Sequence, residues 1–416
     1  MPSCNTSCSS PIRCGFTGPR KADITDAGTG GTGRLILLGA ITALGSLAIQ
    51  IIVPALPLLA SGIGASPAGG QLIISVYLIG LALGQLALSP IADHYGRRPV
   101  LLGGVVVFLV GTLCCAVASD LGTMLVGRVI QSLGASSSLV TGRAMATDKA
   151  PVGKAAAPLA ILTSVTLISP ALAPAIGGAL ASLGGWRSLF WILAALTLIG
   201  GALAIRMLPE TRPGDRQPLH AGRLARNYWQ VALHSGYLPL AFANAMISGG
   251  FYLFLAVSPF VLDAAGATTA QAGLFYSAVA CAIIGGTLTV PVVLRHWPTR
   301  LKMLGSSALA LGATTVIIVA TTGANLGGLF VAMALIAFGA GLTGPSLLAE
   351  ALERQRDRAS AATSLFGTMQ MGGAALISTA AVRIAPSPPV ELALIGVLVM
   401  LALVARHLAG GAPTEV

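Results

Sequence analysis

Twelve long apolar runs constrain the fold of this chain more than any other feature. A helix needs about 20 apolar residues to cross the hydrocarbon core of a bilayer. With 55% hydrophobic and 9% charged residues among 416, the chain has too little charge to cover a soluble surface. The sequence predicts an all-α polytopic membrane protein with transmembrane helices at 35–57, 71–91, 99–119, 121–145, 155–181, 187–207, 237–262, 271–295, 300–320, 326–350, 358–384 and 388–409.

The distribution of basic residues predicts the orientation of these helices. All 24 lysines and arginines except Arg128, Arg187 and Arg383 fall in the terminal segments or in alternate loops. Because lysine and arginine mark the cytoplasmic side, we expect a multi-pass protein of the cytoplasmic (inner) membrane with both termini in the cytoplasm. The net charge of +11 is divided among short clusters between apolar runs. A nucleic-acid binder gathers its basic residues on one patch, so no nucleic-acid partner is expected.

A polar stretch at 208–236 divides the chain into two similar halves. At an offset of 202 residues, His94-Tyr95 aligns with His296-Trp297, and Arg98 aligns with Arg300. Two repeated six-helix halves around a central site are the architecture of many carriers, and this architecture needs no second subunit. We therefore predict a monomer with five segments: a disordered cytoplasmic tail at 1–33, a six-helix half at 34–207, a cytoplasmic linker at 208–236, a second half at 237–410 and a tail at 411–416.

Several motifs resemble those of a known transporter family. The loop Ser89-Pro-Ile-Ala-Asp93-His-Tyr-Gly96-Arg97-Arg98 resembles the signature loop of the major facilitator superfamily. The fourth predicted helix carries Gly127-Arg128-Val-Ile-Gln131, similar to the superfamily's Arg-x-x-Gln-Gly motif. The fifth carries Pro170-x-x-Ala-Pro174-x-x-Gly177-Gly178, similar to the motif of its antiporter branches. Together with Val53-Pro-Ala-Leu-Pro57 and Ser258-Pro-Phe-Val-Leu262, these motifs resemble the Bcr/CflA-type multidrug efflux branch.

The resemblance implies a function as well as the major facilitator fold. It implies secondary active export of drug-like or metabolite molecules by alternating access, as a proton antiporter associated with antibiotic resistance. However, Gln50 stands where this branch usually has an aspartate. The sequence therefore leaves open a dedicated metabolite exporter or a facilitator without proton coupling. A membrane sensor or scaffold that transports nothing is a further alternative.

Asp93, Gly96, Arg97 and Arg98 are expected to form a conformational latch at the cytoplasmic boundary. In this hypothesis Arg97 pairs with Asp148, while Asp93 faces the positive N-terminal end of the eleventh helix, in the other half. Gly96 permits the tight turn between the second and third helices. The alternative is a turn with loose surface ion pairs, each contributing less than about 1 kcal/mol.

Arg128 is the most informative residue for the predicted substrate site. It lies about eight residues into the fourth helix, roughly 12 Å from the outer face. A charge at that depth usually faces a partner or a wet cavity. Gln50 is predicted at the same level, and Gln131 and Ser136 follow Arg128 along its helix. We therefore expect these four residues to line the substrate cavity and to favour neutral or anionic substrates. The alternative is an arginine that extends outward and only stabilises packing.

The fifth helix is expected to bend during transport. Pro170 and Pro174 remove backbone hydrogen bonds, and Gly177 and Gly178 allow a neighbouring helix to approach closely. Ordinary packing of small residues is the alternative interpretation.

The sequence predicts no enzyme activity, cofactor or metal site. Cys4, Cys8 and Cys14 lie in a polar N-terminal stretch with no accompanying histidine, and their spacing matches no zinc site. No nucleophile–base constellation occurs at membrane depth. No carboxylate is predicted at mid-membrane either, so Asp93 and Asp148 are the candidate proton-binding residues if protons couple to transport.

Overall fold

A computed structural model describes residues 30–148, 156–212, 221–234, 236–323, 325–355, 358–384 and 387–410. The predicted C-terminal tail and Cys4, Cys8 and Cys14 lie outside these residues, as does the predicted N-terminal tail up to residue 29. The helices are α1 Gly30–Gln50, α2 Leu56–Gly62, α3 Pro67–Tyr95, α4 Arg97–Ala116, α5 Leu121–Thr147, α6 Ala156–Met207, α7 Ala221–Ala232, α8 Tyr237–Ala264, α9 Thr269–His296, α10 Leu301–Thr322, α11 Leu326–Glu353, α12 Ala359–Ile384 and α13 Pro388–Gly410.

These helices make up twelve long segments, which we call spans, and the all-α architecture confirms the predicted fold class. By length and hydropathy alone, nine helices of the described residues qualify to cross a membrane, with α6 counted once. The first span consists of α1 and α2, separated by a turn and a short 3₁₀ helix at Val53–Ala55. The 52-residue α6 contains two spans, because Gly185 has a positive φ of 72° that interrupts the helix. We call residues 156–184 its first arm and residues 186–207 its second arm. The remaining long helices contribute one span each.

The two halves repeat the same packing scheme. In the N-terminal half α4 packs on α5 and α3 packs on α5; in the C-terminal half α10 packs on α11 and α9 packs on α11. The halves meet where α6 packs on α9 and where α3 packs on α12. One continuous apolar core contains residues of both halves, among them Leu56, Tyr77 and Leu253. The predicted pseudo-symmetry is therefore present in the helix contacts themselves.

The bundle has two chemically different ends. One end carries Arg97, Arg98, Arg212, Arg295 and Lys302, and we call it the basic end. The other carries the turns at 63–66, 117–120 and 265–268 and the first turn of α13, and we call it the opposite end.

The linker between the halves contains a short amphipathic helix, α7, which the sequence reasoning did not predict. Val231 on this helix is buried, while the Trp229 side chain is 65% exposed. The Tyr228 hydroxyl donates a hydrogen bond of 3.4 Å to the Leu86 carbonyl of α3. The Tyr228 pKa is raised overall because the hydroxyl is partly buried, and a hydrogen bond with Ser364 of α12 opposes this shift only in part. Helix α7 therefore contacts both halves at the basic end.

Candidate functional site

The site begins with a break in the first membrane span. Helix α1 ends at Gln50, and the chain resumes as a 3₁₀ helix only at Val53. Pro54 has no N–H group, so it cannot donate to the carbonyl of Gln50 and continue the helix. The last four carbonyls of a helix lack intrahelical donors and form its negative end. This break therefore leaves a patch of acceptors inside the N-terminal half.

The Arg128 side chain lies against these acceptors. It is completely buried, and its Nη1 donates to the Ala48 carbonyl at 3.1 Å and to Gln131 Oε1 at 2.7 Å. Its guanidinium lies 4.6 Å from the centre of the Tyr77 ring. The Tyr77 hydroxyl in turn donates to the Gly45 carbonyl at 2.9 Å. Arg128 and Tyr77 thus bind consecutive turns near the end of α1.

The charge of Arg128 is stabilised without a counter-ion. No carboxylate of the described residues pairs with it, and its Nε and Nη2 atoms have no hydrogen-bond partner within that part of the chain. The negative end of α1 and the face of Tyr77 supply partial charges instead, each contributing about 1–2 kcal/mol. A buried cation with two unused donor nitrogens can donate hydrogen bonds to an anionic or neutral acceptor group of a substrate, and it repels a cation.

The contacts show where the other predicted cavity residues lie. Gln131 donates from Nε2 to Thr112 Oγ1 of α4 at 2.8 Å, so its amide is held within the N-terminal half. Ser136 donates to the Leu133 carbonyl of its own helix, and it packs against Gly84 of α3. Gln50 is buried, with 6% exposure, at the end of α1. These contacts are between helices of one half, and the cavity role predicted for Gln131 and Ser136 stays a prediction.

The C-terminal half presents an aromatic cluster that the sequence reasoning missed. Its members are connected by ring-centre distances of 5.5–6.5 Å and are Phe251, Tyr252, Phe254, Phe275, Tyr276 and Phe330. Tyr252 lies near Tyr77 of the other half and packs against the same apolar core, so the cluster is close to the Arg128 site. The run Phe251-Tyr-Leu-Phe254 was the available signal, but it was indistinguishable from ordinary lipid-facing sequence.

At the opposite end, α6 and α9 touch at their glycines, a contact that we call the glycine crossing. A Cβ atom added at Gly178 would lie 2.5 Å from the carbonyl oxygen of Thr269, and one added at Gly273 would strike the Pro174 carbonyl. The backbone N–H of Ala175 donates to Ser277 Oγ at 3.0 Å. The predicted small-residue motif of the fifth span therefore lies at the boundary between the halves. Gly177 faces the N-terminal half instead, against the Ile51 carbonyl.

At the basic end, charged groups join four segments of the N-terminal half. Arg97 contacts Asp93 on α3, and its Nε lies 3.4 Å from Asp148 Oδ2 after α5. Gly96 turns between α3 and α4 with a positive φ of 109°. Arg98 donates from Nη2 to the Ile205 carbonyl at 2.7 Å. Helix α12 is the eleventh predicted helix, towards which Asp93 was expected to point. Among the ion pairs of the described residues, none joins Asp93 to α12, so the predicted latch between the halves stays a prediction.

Glu210 completes this cluster, and the sequence reasoning missed it. Its carboxylate accepts the backbone N–H groups of Arg97 and Arg98 at 3.0 and 3.2 Å, so it caps the N-terminus of α4. Thr211 beside it donates to Asp148 Oδ2 at 2.9 Å. Partial burial acts to raise the Glu210 pKa, but backbone hydrogen bonds outweigh it and lower the pKa overall. The signal in the sequence was only a carboxylate shortly after a span, which is common.

We expect Glu210→Ala to destabilise the N-terminal half by roughly 1 kcal/mol, the usual cost of losing a helix cap, because solvent screens this exposed group. The apparent melting temperature should fall by roughly 2 °C at pH 7. Since the folded-state pKa is lowered, this stabilisation is present above the ordinary glutamate pKa and is lost as the pH falls through the folded value. The variant and the wild type should therefore converge in acid. Glu353→Ala, which removes an exposed carboxylate at the same end, is the matched control, and an equal effect in both variants would contradict the capping role.

Comparison with known proteins agrees with this architecture. Two curated relatives are MdtL, a multidrug resistance protein of Klebsiella pneumoniae (strain 342), and YdgK, an uncharacterized MFS-type transporter of Bacillus subtilis (strain 168). MdtL is 30% identical over 334 residues, covering 79% of this chain and 83% of MdtL. YdgK is 27% identical over 342 residues, covering 80% of this chain and 85% of YdgK.

Solved structures share the fold at low sequence identity. A POT family transporter in complex with 5-aminolevulinic acid has a TM-score of 0.76 at 13% identity, covering 91% of this chain and 96% of that one. A bacterial homolog of the human lysosomal transporter Spinster has a TM-score of 0.71 at 17% identity, with the same coverage. Residues 38–378 match the Major Facilitator Superfamily. The chain belongs to this superfamily of membrane transporters.

Proposed function

We propose that this protein exports small drug-like or metabolite molecules across the inner membrane by alternating access, with both termini in the cytoplasm. The observation that carries the proposal is the pairing of two unlike surfaces between the halves. One is the buried Arg128, whose Nε and Nη2 have no partner among the described residues, together with Tyr77; the other is the aromatic cluster around Tyr252. A mostly apolar site with a few polar groups suits many drug-sized ligands.

The multidrug name of the relative MdtL supports this function, as does the resemblance to the Bcr/CflA branch. A dedicated metabolite exporter or facilitator is the second candidate. The observation in its favour is Gln50, a neutral side chain at the break of α1, which leaves the Arg128 site without a titratable carboxylate among the described residues. The glycine crossing at the opposite end supports a moving interface more than a static sensor or scaffold.

The positive charge of Arg128 sets the expected substrate class. At an effective dielectric constant of about 20, two like charges 4 Å apart repel by about 4 kcal/mol. We therefore propose neutral or anionic substrates with an aromatic or aliphatic body. The body would pack on the cluster of Phe251, Tyr252 and Phe254, and an acceptor group would reach the free guanidinium nitrogens.

Efflux from proteoliposomes tests this function. Three dyes of similar size, one neutral, one anionic and one cationic, are loaded, and their export is followed with and without an imposed pH gradient. We expect export of the neutral and anionic dyes at least about tenfold faster than export of the cation, since 1.4 kcal/mol already corresponds to tenfold.

The gradient distinguishes the two candidates. Export that depends on the gradient supports proton antiport, whereas export indifferent to it supports a facilitator. Preferential export of the cationic dye would contradict the proposed substrate class. Absence of transport for all three dyes, in protein that is folded by size-exclusion chromatography, would contradict multidrug export itself.

A further inference from the structure

A buried carboxylate joins the two halves at the opposite end. Glu391 lies in the first turn of α13 and is only 5% exposed. No other aspartate or glutamate of the described residues falls in the buried class. Gln71 Nε2 on α3 donates a hydrogen bond to Glu391 Oε1, and the distance of 3.5 Å is long for such a bond. Nothing in the sequence distinguishes Glu391, since its position near a helix end resembles that of an ordinary solvated boundary residue.

The surroundings do not compensate a negative charge at Glu391. Helix N-termini favour anions through their free N–H groups, by up to about 2 kcal/mol. Here Pro388 and Pro389 have no N–H, and the N–H groups of Val390 and Glu391 both bond to the Ser387 carbonyl. Removing a carboxylate from water without a full partner costs several kcal/mol. The neutral carboxylic acid avoids that cost.

Gln71 supplies the second observation. It is also buried, with 6% exposure, and its Oε1 atom has no hydrogen-bond partner among the described residues. An unsatisfied buried acceptor costs about 1–3 kcal/mol. A protonated Glu391 carries one O–H donor, and Gln71 offers one orphan acceptor beside it. A proton on Glu391 would therefore complete a two-bond acid–amide pair, which the carboxylate cannot form.

Other charged groups do not account for Glu391. Helices α8, α10 and α12 pack against α13, and Gln71 approaches from α3. Near the opposite end, Asp263 on α8 and Arg383 on α12 are both exposed, and no ion pair in the described structure joins either to Glu391. The remaining titratable or charged groups of these five helices lie deeper or at the basic end: Tyr77, Asp93, His94, Tyr95, Tyr237, Tyr252, Lys302, Arg406 and His407.

From this geometry we infer that Glu391 and Gln71 form a proton-binding site that holds the opposite end closed. When the carboxyl group is buried between the halves, its proton forms a hydrogen bond to Gln71, and this bond links α13 to α3. When the halves separate there, the carboxyl meets water and returns the proton to the same compartment as a carboxylate. Acid on that side therefore favours closure. The inference rests on the proposed alternating access, but it requires no particular substrate and no net proton transport.

The distance between the halves at the opposite end, measured against pH, tests this inference. Spin labels are placed at Leu183→Cys on α6 and Ala265→Cys after α8, two exposed positions, in full-length protein without other cysteines. Distances are measured in lipid nanodiscs without substrate between pH 8 and pH 5. We expect the closed-to-open ratio of the wild type to rise about fivefold or more on acidification, as is usual for coupled equilibria.

Two variants of the pair and one control variant make the test specific. Glu391→Gln mimics the protonated acid and should remain mostly closed at every pH. Gln71→Leu removes both the donor and the orphan acceptor, so the protonated acid loses its partner, and the closed-to-open ratio at pH 5 should be lower than in the wild type. Glu353→Gln, at the basic end, should respond as the wild type does. A wild-type ratio independent of pH, or a Glu391→Gln variant that still responds to pH, would overturn the inference. Because no substrate is present, failure of dye export would leave this result unaffected.

Discussion

Replacing Gly178 by valine is expected to reduce transport by about tenfold or more while the protein still folds. In the closed crossing, a Cβ atom at this position would lie 2.5 Å from the Thr269 carbonyl oxygen and 3.1 Å from the Cα of Gly273. Carbon–oxygen contacts between helices normally measure about 3.3 Å or more. Both clashing groups are backbone atoms, so the helices themselves must separate. The variant should therefore fail to close the opposite end.

Gly285→Val on α9 is the matched control for this experiment. A Cβ atom added at Gly285 meets no atom within 4 Å, so valine should be tolerated there. Dye export is compared for the two variants in the same proteoliposomes, and labelling of Ala272→Cys, a buried position between the halves, by a water-soluble maleimide reports the opening. We expect faster labelling in the Gly178→Val background. Normal export by that variant would show that the crossing does not need to close during transport.

Replacing Arg128 by alanine is expected to reduce export of neutral and anionic dyes to near background. The change removes the donor to Ala48 and Gln131, and each acceptor left unsatisfied costs about 1–3 kcal/mol. It also removes the positive charge that attracts an anionic substrate. Arg128→Lys keeps the charge but lacks the additional Nε and Nη2 donors that are left for a substrate, so intermediate activity is expected.

Arg128→Gln separates the charge of this residue from its structural role. The amide can still donate to neighbouring acceptors, but it no longer repels a cation. The export ratio of cationic to anionic dye should therefore rise about tenfold or more in this variant. Arg383→Ala, which removes an exposed arginine, should leave the ratio unchanged. An unchanged ratio in Arg128→Gln would indicate that Arg128 only stabilises the break in α1.

The fold could be predicted from the sequence because a bilayer permits few solutions. Apolar runs of the required length become helices, since backbone groups must be satisfied internally. The two spans within α6 were separable only because Gly184-Gly185 precedes Trp186-Arg187, a local interruption in an otherwise apolar stretch. Helix α7 escaped prediction because a short amphipathic segment resembles a polar linker until its neighbours are known.

The site was predictable in part. Arg128 stood out because a charge at membrane depth is costly, and Gly178 stood out because its motif resembles that of the antiporter branches. Of the two acceptors of Arg128, Gln131 was expected nearby because it lies three residues along the same helix. The other is the backbone carbonyl of Ala48, which was not predictable because any residue type would provide it. The contact between Glu391 and Gln71 joins residues 320 positions apart, and no local sequence pattern in either segment predicts it.

A structure of the protein in a lipid nanodisc with its best-exported neutral or anionic dye would test the central claim most directly. The claim predicts that the bound dye lies between the halves, with its ring system against Tyr252 and Phe251 and an acceptor atom within hydrogen-bonding distance of Arg128 Nε or Nη2. A dye bound within one half alone, or one that contacts neither Arg128 nor the aromatic cluster, would contradict it.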